Sequence, residues 1–217
     1  MIFWIAGAAG LAVAYLLGAI PTGYLAGRLL GGVDLREQGS GSTGATNVLR
    51  ILGPWPALAV LLVDLLKGAA AIVFARWLYP WLCALPSIAT PDPRILTPWA
   101  VSLAGLAVVL GHSRSIWLGF KGGKSAATGL GVLLALAWPV GLGAAAAFGL
   151  VLAATRIVSL SSMLGAVTAI ALVCGLPEPA AYRVLVIAGG LYVVARHRAN
   201  IGRLLAGTEP RMGRSAP

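Results

Sequence analysis

Residues 119–129, GFKGGKSAATG, set Lys121 and Lys124 among four glycines, a grouping suited to holding phosphate. The nucleotide-binding form of such a loop requires G-x-x-x-x-G-K-[ST] after a strand. Counting back from Gly123-Lys124-Ser125, the first glycine belongs at 118, where Leu118 stands; Gly119 comes one place late. No strand pattern precedes the loop and no acidic magnesium partner lies nearby, which argues against ATP or GTP hydrolysis. General anion chemistry remains: Gly122 and Gly123 permit close backbone approach, two lysines supply charge, and a helix starts at Ser125. The plain alternative is a basic, flexible anchor at a membrane face.

Three further segments carry related chemistry. GSGSTGATNVLR combines Ser40, Gly41 and Asn47 with Arg50, whose planar fork matches phosphate; a flexible linker is the plain alternative, but a linker rarely carries Asn47 and Arg50 at helical spacing. SLSSM offers Ser159, Ser161 and Ser162 at a helix start, for capping or for an anion. RHRAN sets His197 and Asn200 three apart, on one side of a helical turn. In VDLLKG, Asp64 and Lys67 are one turn apart within an apolar run, and mutual neutralisation in a structural role is the simpler account.

The elements that must position these groups are membrane helices. The chain of 217 residues is 59% apolar and 10% charged, with 16 Lys and Arg against six Asp and Glu; its mean hydropathy is +0.91. A soluble domain carries roughly 25% charged residues. The net charge of +10 suits anionic lipid, an anionic substrate or nucleic acid, and composition does not choose among them. Cys83 and Cys174 imply neither a disulfide framework nor a thiolate metal site. The apolar opening lacks a basic start and runs too long for a signal peptide, so it reads as a retained helix.

Apolar segments fall at residues 2–26, 55–79, 97–111, 125–138, 140–154, 160–176 and 181–195. The expected fold is an all-α integral membrane protein of seven transmembrane helices, one domain over 1–217 with a basic tail from about 210. With seven spans, twelve basic residues share one side: Arg28, Arg36, Arg50, Arg114, Lys121, Lys124, Arg156, Arg196, Arg198, Arg203, Arg211 and Arg214. Arg76, Arg94 and Arg183 occupy the other. The positive-inside rule then puts the N-terminus outside and the C-terminus in the cytoplasm. All four polar segments meet at the cytoplasmic face, as one composite site would require.

Absences narrow the chemistry. Magnesium-dependent phosphoryl transfer wants several carboxylates on facing helices, and only Asp64 lies inside an expected span. No His-x4-Asp pair follows His112 or His197, and no serine sits in a G-x-S-x-G elbow.

These segments, with RHRANIGRLLAGTE closing the series, resemble the signature segments of the bacterial acyl-phosphate:glycerol-3-phosphate acyltransferases, the PlsY family. The resemblance runs from Gly18 to Glu209 and includes the Asp64–Gly68 stretch. It implies a seven-helix enzyme of the bacterial inner membrane that passes a fatty acyl group from acyl phosphate to the 1-hydroxyl of glycerol 3-phosphate, giving lysophosphatidic acid and phosphate without metal or cofactor. By its pattern Ser40, Asn47, Arg50, the two motif lysines, Ser161, Ser162, His197 and Asn200 line the site. We expect Arg50, Lys121, Lys124, His197 and Asn200 to hold glycerol 3-phosphate, with His197 and Asn200 assisting catalysis and no enzyme nucleophile. Ser40, Gly41, Asn47, Gly122, Gly123, Ser161 and Ser162 are expected to hold acyl phosphate, and Asp64, Lys67 and His112 to support the site. A monomer with lipid around it and no nucleic-acid partner follows.

Three departures from the family's usual segments stand out: Ser42-Thr43 for Asn-Ile, Arg114-Ser115 for Phe-Pro, and Ser125 for Gly. Arg114 is expected to add a cation at the site mouth, and Ser125 to stiffen its loop. Because acyl phosphate is already activated, the scarcity of bases suggests that a substrate phosphate accepts the hydroxyl proton. The rival reading is a transporter of phosphate or phosphorylated metabolites. It would call for an inverted repeat or anion binders on both faces, and the sequence shows neither.

Overall fold

The computed structural model describes residues 2–85 and 92–213. Residues 86–91, in the Pro-rich connection expected on the outer side, and Arg214 with the rest of the expected tail, lie outside them. The helices are α1 (Ile2–Ala19), α2 (Thr22–Gly31), α3 (Ala45–Leu52), α4 (Pro54–Ala84), α5 (Pro93–Ser113), α6 (Ala126–Leu136), α7 (Trp138–Thr155), α8 (Val158–Gly175), α9 (Ala180–Arg196) and α10 (Arg198–Leu205). Among the described residues, five stretches are long and apolar enough to cross a bilayer: Phe3–Gly31, Pro54–Ala84, Pro93–Leu118, Trp138–Thr155 and Val158–Gly175.

The boundaries differ from expectation for local reasons. The first span is two helices, because Pro21 lacks an N–H and disfavours helical backbone at Ile20. At this break the Ile20 carbonyl accepts Thr22 N–H at 3.0 Å and Lys67 Nζ at 2.9 Å. α4 tolerates Pro80 and runs on to Ala84, so Arg76 belongs to a helix and not to an outer loop. α6 has 11 residues, about 16 Å at 1.5 Å per residue, too short for hydrocarbon roughly 30 Å thick. Its last carbonyls have no continuing helix to bond them, because Pro139 breaks the run, and Arg76 satisfies them: its guanidinium donates to Ala135 O at 2.6 Å and Leu136 O at 2.7 Å. Arg183 likewise donates to Leu176 O, at the end of α8, at 3.2 Å.

Lipid supplies no hydrophobic drive between helices, so close backbone approach matters. Gly18 faces the Val108 carbonyl while Gly111 faces that of Tyr15, joining α1 to α5; Gly68 and Gly131 face Thr128 and Leu65 carbonyls, joining α4 to α6. At each of the four a methyl group would strike backbone. Around these seams the main core gathers Ile72, Val101, Val108, Val132, Val140 and Val173. A smaller cluster, Leu35, Val48, Ala57 and Val60, seats α3 and the 32–44 loop against α4.

Replacing Arg76 with Met should leave two helix-end carbonyls without their partner and lower stability by about 1 kcal/mol. Unfolding in detergent would register this, and a wild-type midpoint would refute the capping role.

Candidate active site

The four polar segments do meet. They surround one end of a cavity of about 340 Å³ whose remaining wall is aliphatic. The starts of α3, α6, α8 and α10 all reach it, through Gly44–Thr46, Ser125–Ala127, Val158–Ser159, and His197 with Asn200. None of the four has a side-chain N-cap hydrogen bond. Helix N-termini carry unpaired N–H groups and partial positive charge, and here Arg50 and Lys124 add full charges to the same end.

Lys124 Nζ donates to Asn200 Oδ1 at 2.7 Å, and Asn200 Nδ2 donates to Glu209 Oε1 at 2.6 Å. Glu209 also accepts from Ser159 Oγ at 2.7 Å and Arg203 Nε at 2.7 Å. Burial would raise the Glu209 pKa, but these donors outweigh it and hold the carboxyl below its ordinary value. Burial pushes the Lys124 ammonium down to about 8, with Arg203, Arg50 and Arg196 acting in the same direction against Glu209. Burial also lowers His197 below its ordinary value of 6.5, outweighing its bond to Val193 O. That carbonyl can only accept, so Nδ1, 2.8 Å away, carries the proton and Nε2 is the neutral ring's free acceptor.

Of the expected anion-binding residues, the cavity wall includes Ser40, Asn47, Arg50, Lys124, Ser162, His197 and Asn200. Gly41, Lys121, Gly122, Gly123 and Ser161 lie outside it. Lys121 is exposed at the surface. Ser161 and Ser162 each donate their hydroxyl proton four residues back, to Ile157 O at 2.8 Å and Val158 O at 2.9 Å. The glycine loop is not an open row of amides: Gly123 N–H donates to His112 O at 3.2 Å, and Arg196 holds the Gly122 and Gly123 carbonyls at 3.4 and 3.1 Å. Asn47 is committed to loop construction, donating to Leu35 O and Gln38 O at 3.1 and 3.0 Å and accepting from Ser40 N at 3.0 Å.

Asp64 and His112 reach the cavity and Lys67 does not. Asp64 Oδ1 lies 2.8 Å from Lys67 Nζ and 3.5 Å from His112 Nδ1, and accepts from Thr22 Oγ1 at 2.5 Å. A His–Asp neighbour pair therefore exists in space although no short chain spacing encodes it. Two departures fit their backbone: Ser115 has a proline-compatible φ of −64°, and Ser125, at φ 63°, takes a glycine-like conformation. Its hydroxyl donates to Val109 O at 2.8 Å. Arg114 is exposed and does not line the cavity, contrary to its expected place at the mouth.

Sequence reasoning missed Glu209. It tallied carboxylates inside spans only and left TEP at the edge of a tail. The signal was present, since the resemblance ends on that residue.

Comparison with known proteins agrees with this layout. A family described as Glycerol-3-phosphate acyltransferase matches residues 8–207. Glycerol-3-phosphate acyltransferase 2 of Rhizobium johnstonii is 69% identical, with all of both chains aligned. Glycerol-3-phosphate acyltransferase of Synechococcus elongatus is 54% identical over 93% of this chain and 92% of its own. The crystal structure of PlsY, an integral membrane glycerol 3-phosphate acyltransferase, in its glycerol 3-phosphate form superposes with a TM-score of 0.83 at 35% identity, covering 95% of this chain and 96% of that one. Its lysophosphatidic acid form gives 0.81 at 34% identity, with 95% of each chain covered. With these segments at one cavity, and with this match along nearly its whole length, the chain belongs to the glycerol-3-phosphate acyltransferase family, the PlsY family of integral membrane proteins.

Proposed function

We propose that the protein transfers a fatty acyl group from acyl phosphate to the 1-hydroxyl of glycerol 3-phosphate at the cytoplasmic face of the bacterial inner membrane. The convergence of four uncapped helix N-termini with Arg50 and Lys124 on the polar end of an otherwise aliphatic cavity carries this reading. Such a cavity suits ligands with a phosphate at one end and, for the donor, a hydrocarbon tail.

In this reading Arg50 and Lys124 hold the phosphate of glycerol 3-phosphate, with Asn200 fixing Lys124. The Ser40 loop, built on Asn47 with Gly41 at its bend, and Ser162 face the acyl-phosphate head. Gly122 and Gly123 let their loop close on His112, Ser161 stays within its helix, and Lys121 attracts substrate from outside the cavity. Nε2 of neutral His197 accepts a hydrogen bond from the 1-hydroxyl and orients it. The hydroxyl oxygen attacks the acyl carbon, the bond from that carbon to the phosphate oxygen breaks, and the proton passes to phosphate. Products are lysophosphatidic acid and inorganic phosphate. The donor is already activated, so alignment of the two substrates, worth about 7–11 kcal/mol, leaves no step needing a metal, cofactor or enzyme nucleophile.

We read seven passes through the membrane: the bent α1–α2 pair and α4 to α9, with α6 short because its start is recessed at the cavity. The basic-residue asymmetry supports a cytoplasmic C-terminus. Exposed Trp4, Trp77, Trp81, Trp99 and Trp138 stand near one set of helix ends, and Trp55 and Trp117 near the other, as two interfacial belts require. The unit is a monomer.

Purified protein given palmitoyl phosphate and glycerol 3-phosphate without magnesium should release phosphate only when both are present. Uptake into vesicles without phosphate release would instead favour the transporter. Lys124→Ala should raise KM for glycerol 3-phosphate about 10- to 100-fold, the loss expected of a charge-assisted hydrogen bond, while Lys121→Ala stays within about twofold; equal effects would defeat the assignment. The cationic form of Lys124 binds phosphate, so kcat/KM for glycerol 3-phosphate should fall as pH rises through about 8. Lys124→Arg should move that fall to higher pH.

A further inference from the structure

The aliphatic part of the cavity contains two glycines that packing does not explain. Gly68 and Gly131 are small because a neighbouring helix backbone leaves no room. Gly165 and Gly190, which line the cavity, also have neighbours: a methyl group would reach Ala144 O at Gly165 and the Ile170 side chain at Gly190. Gly129 in α6 and Gly189 in α9 differ. Both line the cavity, both are partly buried, and a methyl group on either meets nothing within 4 Å. Neither has a positive φ, so backbone conformation does not demand glycine. Glycine within a helix is disfavoured against alanine by about 1 kcal/mol. The vacant volume beside each is therefore what their smallness preserves.

Their depths differ. Gly189 precedes His197 by eight residues, about 12 Å along the axis of α9, and stands one turn, about 5 Å, from Leu185. Buried Leu185 and Val186, with Val132 and Ala169 on the facing helices, form the apolar end of the cavity. Gly129 follows Lys124 by only five residues and flanks the part of the cavity next to the polar end.

We infer that Gly189 is a specificity-determining residue that keeps open the inner passage for the donor's acyl chain, and that Gly129 keeps open the passage just below its head. This rests on the acyl-phosphate reading above. Bulk at position 189 shortens the accepted chain without touching the phosphates. Bulk at 129 obstructs every chain, because short and long donors alike pass that point.

The test compares octanoyl phosphate with palmitoyl phosphate as donors for the purified full chain, with thermal midpoints recorded for each variant. For Gly189→Leu, kcat/KM with palmitoyl phosphate should fall at least about tenfold and that with octanoyl phosphate should stay within about threefold, the scale on which hydrocarbon pockets discriminate by size. KM for glycerol 3-phosphate should stay within about twofold. Gly189→Ala should lower the palmitoyl-to-octanoyl ratio at least about twofold without lowering the midpoint, and it decides the matter if the leucine variant does not fold. Gly129→Val should depress both donors alike. A wild-type ratio in the folded position-189 variants would overturn the inference while leaving the donor reading intact. Failure of the wild-type protein to use either acyl phosphate would instead refute the donor reading, and the inference with it.

Discussion

The buried carboxylate of Asp64 is the constraint on which the remaining architecture turns. An ionised group inside a membrane span must be matched, and its partners here come from three elements: Thr22 at the start of α2, Lys67 on α4 itself and His112 on α5. Lys67 in turn donates to the Ile20 carbonyl at the break before Pro21. One anion thereby fixes the bend between α1 and α2 and the approach of α4 to α5. Its influence extends further, because His112 packs against Gly123 and accepts that residue's N–H through its carbonyl. Lys124 follows immediately, linked through Asn200 and Glu209 to Ser159. The cation at the polar end of the cavity is thus held from both sides by polar contacts that run through the bundle.

Much of this was legible in the sequence because hydropathy and motif chemistry are local. The apolar runs located every long helix, and Asn47 with Arg50 at helical spacing marked α3. What stayed hidden depends on partners distant in the chain. Pro139 marks the break after α6, but nothing near it says what takes up the carbonyls left there; that partner is Arg76, about sixty residues earlier. Nothing near Asp64 says that His112 is beside it. Gly122 and Gly123 show that the backbone there can be approached but not by what. In the fold, His112 and Arg196 take up Gly123 N–H and the two glycine carbonyls. Asn47 was seen as a ligand-binding amide for a similar reason, and its hydrogen-bonding groups serve the loop it organises.

The site's electrostatics come from arrangement more than from charge count. Helix N-termini supply oriented dipoles that need no reorganisation when an anion arrives, and four of them share one opening. Full charges are then few, and the principal one, Lys124, is partly desolvated, which strengthens its attraction for any anion that enters while limiting the pH range of its cationic form. Glu209 tempers the excess positive potential without adding a free base, because both carboxylate oxygens accept hydrogen bonds within the protein.

The position of Glu209 beyond the last helix separates two requirements of assembly. Apolar length commits the long helices to the bilayer, and that commitment does not depend on residues past Leu205. Glu209 must still join Ser159, Asn200 and Arg203, and Met212 N–H must reach the Arg156 carbonyl at 2.8 Å, before the polar end has its carboxylate brace beside Lys124. A bundle can therefore be fully inserted while its polar end is still unfinished.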